Sequence, residues 1–188
     1  FSATKGLSAV CIHLLVERGL IDLDAPIARY SPEFGRQGKD QITVRWLLSH
    51  RAGLARIDAD LTLDEALSWD PVVEALAAQS PNWAPGTAHG YHMRSFGWLV
   101  GELVRRVDGR TIGRFLADEI AGPGDLDLWL GLPEELEPQV ATLIPPDSSF
   151  QDLMDSLPDD MLLRVVSSGP SDHFHYDQMW NTRRIHEI

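Results

Sequence analysis

The chain has 188 residues, of which 44% are hydrophobic and 23% are charged, and its formal net charge is -12. This composition is typical of a globular domain and excludes a disordered or fibrous protein. The acidic balance argues against a nucleic-acid partner, because affinity for phosphates comes largely from Lys and Arg, and no apolar run approaches the ~18 residues of a membrane span.

An apolar-periodic run predicts the first helix, from about Ser2 to Arg18, with Gly19 as its left-handed stop. The only cysteine, Cys11, falls among apolar residues of this helix. A buried, inert thiol is expected there, and no disulfide can form within the chain.

Short helices are predicted next, each from its own start signal. Pro26 starts a helical turn, and Thr43 is the expected N-cap of the segment VRWLLSH. Thr62 and Glu65 match the capping-box pattern, while Asp70, followed by proline, is the expected N-cap of VVEALAAQ. The stretch SPNWAPG is too rich in helix breakers to be anything but a loop.

The segment SFGWLVGELVRRVDG has the clearest helical periodicity of the chain, and Thr111 is expected to cap a further helix through Ala121. The segments LDLWLGL and QVATLIP have strand-like content, and FQDLMDSL and DDMLLRVV are two further helical stretches. The sequence therefore predicts a mainly helical chain with few short strands.

The opening residues contain a chemically suggestive pair. A serine and a lysine three positions apart share one face of a helix, so Lys5 can reach the hydroxyl of Ser2. The positive end of the helix dipole favours an oxyanion there, and a partly desolvated lysine can act as a base. The alternative is that Ser2 is an ordinary N-cap.

Two distant stretches favour the catalytic interpretation. The segments ITVRWLLSHRAGL and PNWAPGTAHGYHMRSFGWLVGELVRRVDGR resemble, in order and spacing, the serine beta-lactamase and penicillin-binding-protein superfamily, closest to its class C-like members and the family VIII carboxylesterases. The resemblance implies that Ser2 is the acylated nucleophile, Lys5 its partner, and Tyr91 the group that shares the proton transfers. It implies no metal and no organic cofactor.

The resemblance also implies an α+β fold of the beta-lactamase/transpeptidase type. This chain would cover mainly its helical region, with most of the central sheet missing. The family's third motif, K-T-G or H/W-G-G, is not found in these residues, where Lys39 is followed by Asp40. We therefore expect residues 1–188 to be a partial domain, truncated at both ends and inactive in isolation.

A second departure from the family concerns the substrate. The class C-like motif is Y-x-N, whereas Met93 stands at the third position here, so the amide that contacts a lactam is missing. This favours hydrolysis of small carboxylic esters over action on beta-lactam or D-Ala-D-Ala substrates. An inactive helical interaction module is the third hypothesis. A cytoplasmic location is favoured for an esterase and a periplasmic or secreted one for a beta-lactamase.

Other side chains carry weaker signals. Trp83 and His92 are secondary candidates for substrate contact, and His50 is expected to bond backbone near the following turn. The pair His173 and His175 lacks a third ligand at regular spacing, so a surface loop is favoured over a metal site.

Overall fold

The computed structural model describes residues 2–142, and their regular structure is helical. The α-helices of this range are α1 (Ala3–Glu17), α2 (Val44–Leu48), α3 (Leu63–Leu67), α4 (Asp70–Ala78), α5 (Ser95–Asp108) and α6 (Ile112–Leu116). Short 3-10 turns lie at Ile27–Arg29, Pro32–Gly35 and Glu134–Gln139, and a π-helical turn, Ala117–Ala121, continues α6. Among these described elements, none is long and apolar enough to cross a bilayer.

Most of the predicted helix boundaries are confirmed, because local side-chain bonds set them. Thr43 accepts a hydrogen bond from the backbone of Trp46 at the start of α2, and Thr111 caps α6 in the same way. Thr62 and Glu65 form the complete capping box at α3.

The predicted N-cap at Asp70 is wrong by one position. Helix α4 begins at Asp70 itself, and Trp69 occupies the N-cap with a left-handed φ of 69°. The carboxylate of Asp70 instead pairs with Arg105 of α5 at 2.8 Å. A tertiary ion pair has therefore replaced the local cap.

The strand-like segment LDLWLGL is not a strand. Residues 126–132 are irregular, and the isolated bridge between Pro26 and Thr43 is the only strand-type pairing within residues 2–142. No neighbouring strand in the described part of the chain supplies a hydrogen-bonded ladder; instead Leu128 and Leu130 pack against the core. The carbonyl of Leu130 approaches Gly113 so closely that a Cβ there would lie 1.9 Å from it. Residues 139–142 of QVATLIP also form no strand, and the two later helical stretches and the His173–His175 pair lie outside the described residues.

The core lies where α1 packs against α5 and α6, and α2 and α4 also pack against α5. Helix α5 buries one apolar stripe at helical spacing and ends at Gly109, whose φ is 91°. Cys11 is buried as expected, and burial raises the pKa of its thiol to about 11. The fully buried apolar side chains of α1 and α5 are Cys11, Ile12, Leu15, Val100, Leu103 and Val104.

Lys39 is a buried cation that the sequence did not point to. It is fully buried, and its ammonium donates to the carbonyls of Ala77 and Gln79 at the end of α4. Burial lowers the pKa of Lys39, while carbonyls at a helix C-terminus are favourable partners for a positive charge. This contact fixes the point from which the loop to Tyr91 departs.

Glu102 of α5 is a buried carboxylate with several partners. It accepts hydrogen bonds from Arg105 at 2.7 Å, Arg106 at 2.6 Å and the Trp69 indole at 3.1 Å. Burial alone would raise the pKa of Glu102, but these hydrogen bonds outweigh burial and the pKa lies below its ordinary value. The carboxylate thus connects α5 to the start of α4.

We expect Glu102→Gln to lower the free energy of unfolding by about 2 kcal/mol at neutral pH, because charge-assisted bonds are lost. Since the folded pKa of Glu102 is lowered, the difference between variants should be full above its unfolded pKa and shrink as pH falls through the folded value. Urea unfolding at several pH values measures this. Glu74→Gln, at an exposed position of α4, is the control. Equal losses of stability in the two variants would contradict the stabilising role of the Glu102 carboxylate.

Candidate active site

Ser2 stands directly before α1 and is exposed. It occupies the N-cap position, but its side chain makes no capping hydrogen bond. Its Oγ lies 3.4 Å from Nζ of Lys5, one helical turn along. The hydroxyl is therefore directed at other side chains rather than at the end of its own helix.

Tyr91 reaches the same point from 89 residues away in the sequence. Its hydroxyl donates to Oγ of Ser2 at 2.5 Å, and Nζ of Lys5 lies 4.9 Å from the centre of its ring. The structure thus brings together the three residues that the motifs singled out.

Lys5 is held in place by backbone. Its Nζ donates to the carbonyl of Met93 at 2.7 Å, shorter than its contact with Ser2, and lies 5.9 Å from the ring centre of Phe96. These two contacts could not be predicted from the sequence, because a backbone carbonyl has no residue signature and Phe96 fits the core stripe of α5. Lys5 therefore joins α1 to the start of α5.

The environment of Tyr91 favours its ionised form. Burial alone would raise the pKa of Tyr91, but the hydrogen bond with Ser2 and the nearby charge of Lys5 outweigh it, so the pKa lies below its ordinary value. A phenolate adjacent to a serine hydroxyl is a chemically competent proton acceptor.

The loop before Tyr91 is fixed by close packing against the segment LLSHRAGL. The amide of Gly86 donates to the carbonyl of Arg51 at 2.9 Å, and the Arg51 guanidinium donates back to the carbonyl of Gly86. Gly86 has a φ of 78°, and a Cβ on it would lie 2.6 Å from the ring of Trp46. Only glycine accommodates both the left-handed backbone and the indole.

The two secondary substrate candidates lie behind the Tyr91 loop. His92 is fully buried; its Nε2 accepts from the amide of Leu54 at 3.0 Å, and its Nδ1 donates to the carbonyl of Gly90 at 2.6 Å. Burial lowers the pKa of His92 to about 4. Trp83 is half-buried, donates to the carbonyl of Ala88 and packs edge-on against His92. Both side chains support the loop in this structure.

His50 bonds backbone, as the sequence led us to expect, but across to the Tyr91 loop. Its Nδ1 accepts from the amide of His92 at 3.1 Å, and its ring lies 4.9 Å from that of Tyr91. No group of three or more His, Cys, Asp or Glu side chains within residues 2–142 is arranged to hold a metal ion.

Residues 1–169 match the family model described as Beta-lactamase. The chain belongs to the beta-lactamase family. It is 43% identical over 148 residues to the esterase/beta-lactamase LipL of Mycobacterium tuberculosis, covering 78% of this chain and 34% of LipL. A family VIII carboxylesterase crystal structure aligns with a TM-score of 0.74 and 40% identity, covering 77% of this chain and 40% of the other. EstA from Arthrobacter nitroguajacolicus aligns with a TM-score of 0.79 and 34% identity, covering 98% and 48%.

These matches confirm the expected beta-lactamase/transpeptidase-like fold, of which the described residues form a helical part. The chain spans between 34% and 48% of the length of these family members.

The packing of the Tyr91 loop can be tested at Gly90, where a Cβ would lie 2.4 Å from the Trp83 ring. We expect Gly90→Ala to lower the free energy of unfolding by about 1–3 kcal/mol, because the indole or the loop must move. Gly97→Ala is the matched control, since a Cβ at Gly97 meets nothing within 4 Å and alanine favours the helix. Thermal unfolding compares the two variants, and a Gly90→Ala protein as stable as Gly97→Ala would refute this packing.

Proposed function

We propose that the protein is a serine hydrolase that cleaves carboxylic esters through an acyl-enzyme on Ser2. The observation that carries the proposal is the convergence of Ser2, Lys5 and Tyr91, with the Tyr91 hydroxyl 2.5 Å and the Lys5 amine 3.4 Å from the same Oγ. A serine hydroxyl is a weak nucleophile until a neighbouring base takes its proton, and Tyr91 lies at the distance for that transfer.

In acylation, Oγ of Ser2 attacks the ester carbonyl carbon while ionised Tyr91 takes the hydroxyl proton. The tetrahedral intermediate then breaks the bond to the alcohol oxygen, and Tyr91 returns the proton to that oxygen. A water molecule then attacks the acyl carbonyl carbon while Tyr91 takes its proton. The bond to Oγ of Ser2 breaks, and Tyr91 returns the proton to Oγ, which leaves a carboxylic acid and free Ser2. One ester and one water give one acid and one alcohol, with Tyr91 restored.

Lys5 supplies positive charge to this cycle. Its position 4.9 Å from the Tyr91 ring favours the phenolate, and its hydrogen bond to Met93 keeps it there between turnovers. The start of α1 adds the positive end of a helix of 15 residues beside Ser2, where negative charge develops on the substrate oxygen.

The third residue of the motif Tyr91-His92-Met93 favours an ester substrate. Met93 contributes its backbone carbonyl to Lys5 and has no side-chain amide to offer a lactam. Among the relatives, one structure is that of a family VIII carboxylesterase. The name of LipL includes both esterase and beta-lactamase, so lactam hydrolysis is the second candidate function.

In the protein expressed from its complete reading frame, Ser2→Ala should lower kcat/KM for a p-nitrophenyl ester by at least about 10³-fold, because no other group replaces the nucleophile. Ser8→Ala is the matched control on the same helix, since the Ser8 hydroxyl bonds its own helix at the carbonyl of Thr4. Full esterase activity in the Ser2→Ala protein would refute the proposal. Faster turnover of a chromogenic cephalosporin than of the ester would favour the lactamase alternative.

A further inference from the structure

His50 adopts an unusual backbone conformation at the end of α2. Its φ of 59° is left-handed, a region that costs a non-glycine residue of order 1 kcal/mol or more. Backbone bonds hold it there: its own amide donates to Leu47, and the amide of Arg51 donates to Trp46 at 2.7 Å. This conformation lets both the carbonyl and the imidazole of His50 bond the neighbouring loop.

Those two groups bond the residues on either side of Tyr91. The carbonyl of His50 accepts from the amide of Gly90 at 3.1 Å, and its Nδ1 accepts from the amide of His92, also at 3.1 Å. Between these bonds, the centre of the imidazole ring lies 4.9 Å from that of the Tyr91 ring and 5.1 Å from that of the Phe96 ring. Both peptide neighbours of Tyr91 and its ring are therefore fixed by one residue.

We propose that His50 is a positioning residue, whose Nδ1 holds the Tyr91 backbone so that the Tyr91 hydroxyl stays in hydrogen-bond contact with Ser2. The inference rests on the proposed role of Tyr91 as the proton acceptor. We assign His50 to Tyr91 because its Nδ1 bonds the amide of the next residue, His92, and its ring lies 4.9 Å from the Tyr91 ring.

The bond requires a neutral imidazole, because a protonated Nδ1 has no lone pair to accept the amide hydrogen. Burial, together with the neighbouring His89 and Lys5, lowers the pKa of His50 to about 4. The other rings that face it are those of Tyr91, His92 and Phe96. The acceptor is thus available at neutral pH and is lost as the pH falls through about 4.

Two substitutions with amide side chains keep a hydrogen-bond acceptor at residue 50 but place it at different positions. In His50→Asn the side-chain oxygen takes nearly the place of Nδ1, and asparagine tolerates a left-handed backbone. In His50→Gln the same group lies one bond farther out, near the place of Nε2. Both variants are uncharged and polar, but glutamine tolerates the left-handed backbone less well than asparagine, so the pH profile and not activity alone must separate positioning from folding.

We expect His50→Asn to keep kcat within a few-fold of the unsubstituted protein and His50→Gln to lose about 10- to 100-fold in kcat, with little change in KM, because the base is displaced. The acid limb of kcat/KM should also move to higher pH in His50→Gln, since Tyr91 loses contacts that lower its pKa. Activity is divided by the folded fraction measured at each pH by circular dichroism, so loss of folded protein does not move this limb. Any result in which both variants share one pH profile would overturn the inference.

Two further variants of the complete protein sharpen the test. His89→Asn removes the exposed imidazole beside His50, 5.8 Å away, and should leave the acid limb in place. If the acid limb of kcat/KM moved as far in His89→Asn as in His50→Gln, the shift would be due to the charge near Tyr91, and the positioning role of His50 would be wrong. Ser2→Ala with full activity would overturn the proposed function and this inference together. If Ser2→Ala is inactive but His50→Gln behaves as the unsubstituted protein, only this inference fails.

Discussion

The contact between α1 and α5 is the constraint on which the candidate site depends. Helix α1 carries Ser2 and Lys5 at its start, and the residues just before α5 include Tyr91. The two helices pack together through buried apolar faces, and the hydrogen bond from Lys5 to the carbonyl of Met93 joins them at the end where the site lies. Burial of apolar surface by the two helices therefore also sets the distance between Ser2, the proposed nucleophile, and Tyr91, its proposed base.

The candidate site combines exposed or partly exposed reactive side chains with buried side chains that hold them in place. Ser2 is exposed, and Tyr91 is only partly buried, so a substrate can reach both. Behind them, His92 is fully buried with both ring nitrogens bonded, and Lys39 fixes the end of α4 from which the Tyr91 loop starts. This arrangement holds the irregular loop that carries Tyr91 against its hydrogen-bond partner Ser2, and productive chemistry needs such positions to be held within about 0.5 Å.

The sequence predicted those features that local interactions decide. The caps at Thr43, Thr62 and Thr111 depend on bonds within one turn, and the serine-lysine pair depends only on helical spacing. The role of Tyr91 was predicted from the family resemblance and not from the residues next to it in the sequence. The position of its hydroxyl next to Ser2 depends on contacts between residues far apart in the sequence.

Features decided by tertiary contacts were missed for the same reason. The strand expected around Leu128 failed because no described strand lies beside it, so its apolar side chains pack on helices instead. Asp70 lost its capping role to an ion pair with Arg105, which lies on another helix. Local pattern gave no indication of the buried state of Lys39, whose partners are carbonyls 38 and 40 residues away.

The most direct test of the central claim is to locate the covalent adduct that a fluorophosphonate probe forms on the protein expressed from its complete reading frame. Peptide mass spectrometry after digestion identifies the modified residue. The account predicts one adduct, on Ser2, which forms in the folded protein and is lost when the protein is unfolded before treatment. An adduct on another serine, or ester hydrolysis that continues unchanged with Ser2 fully modified, would contradict it.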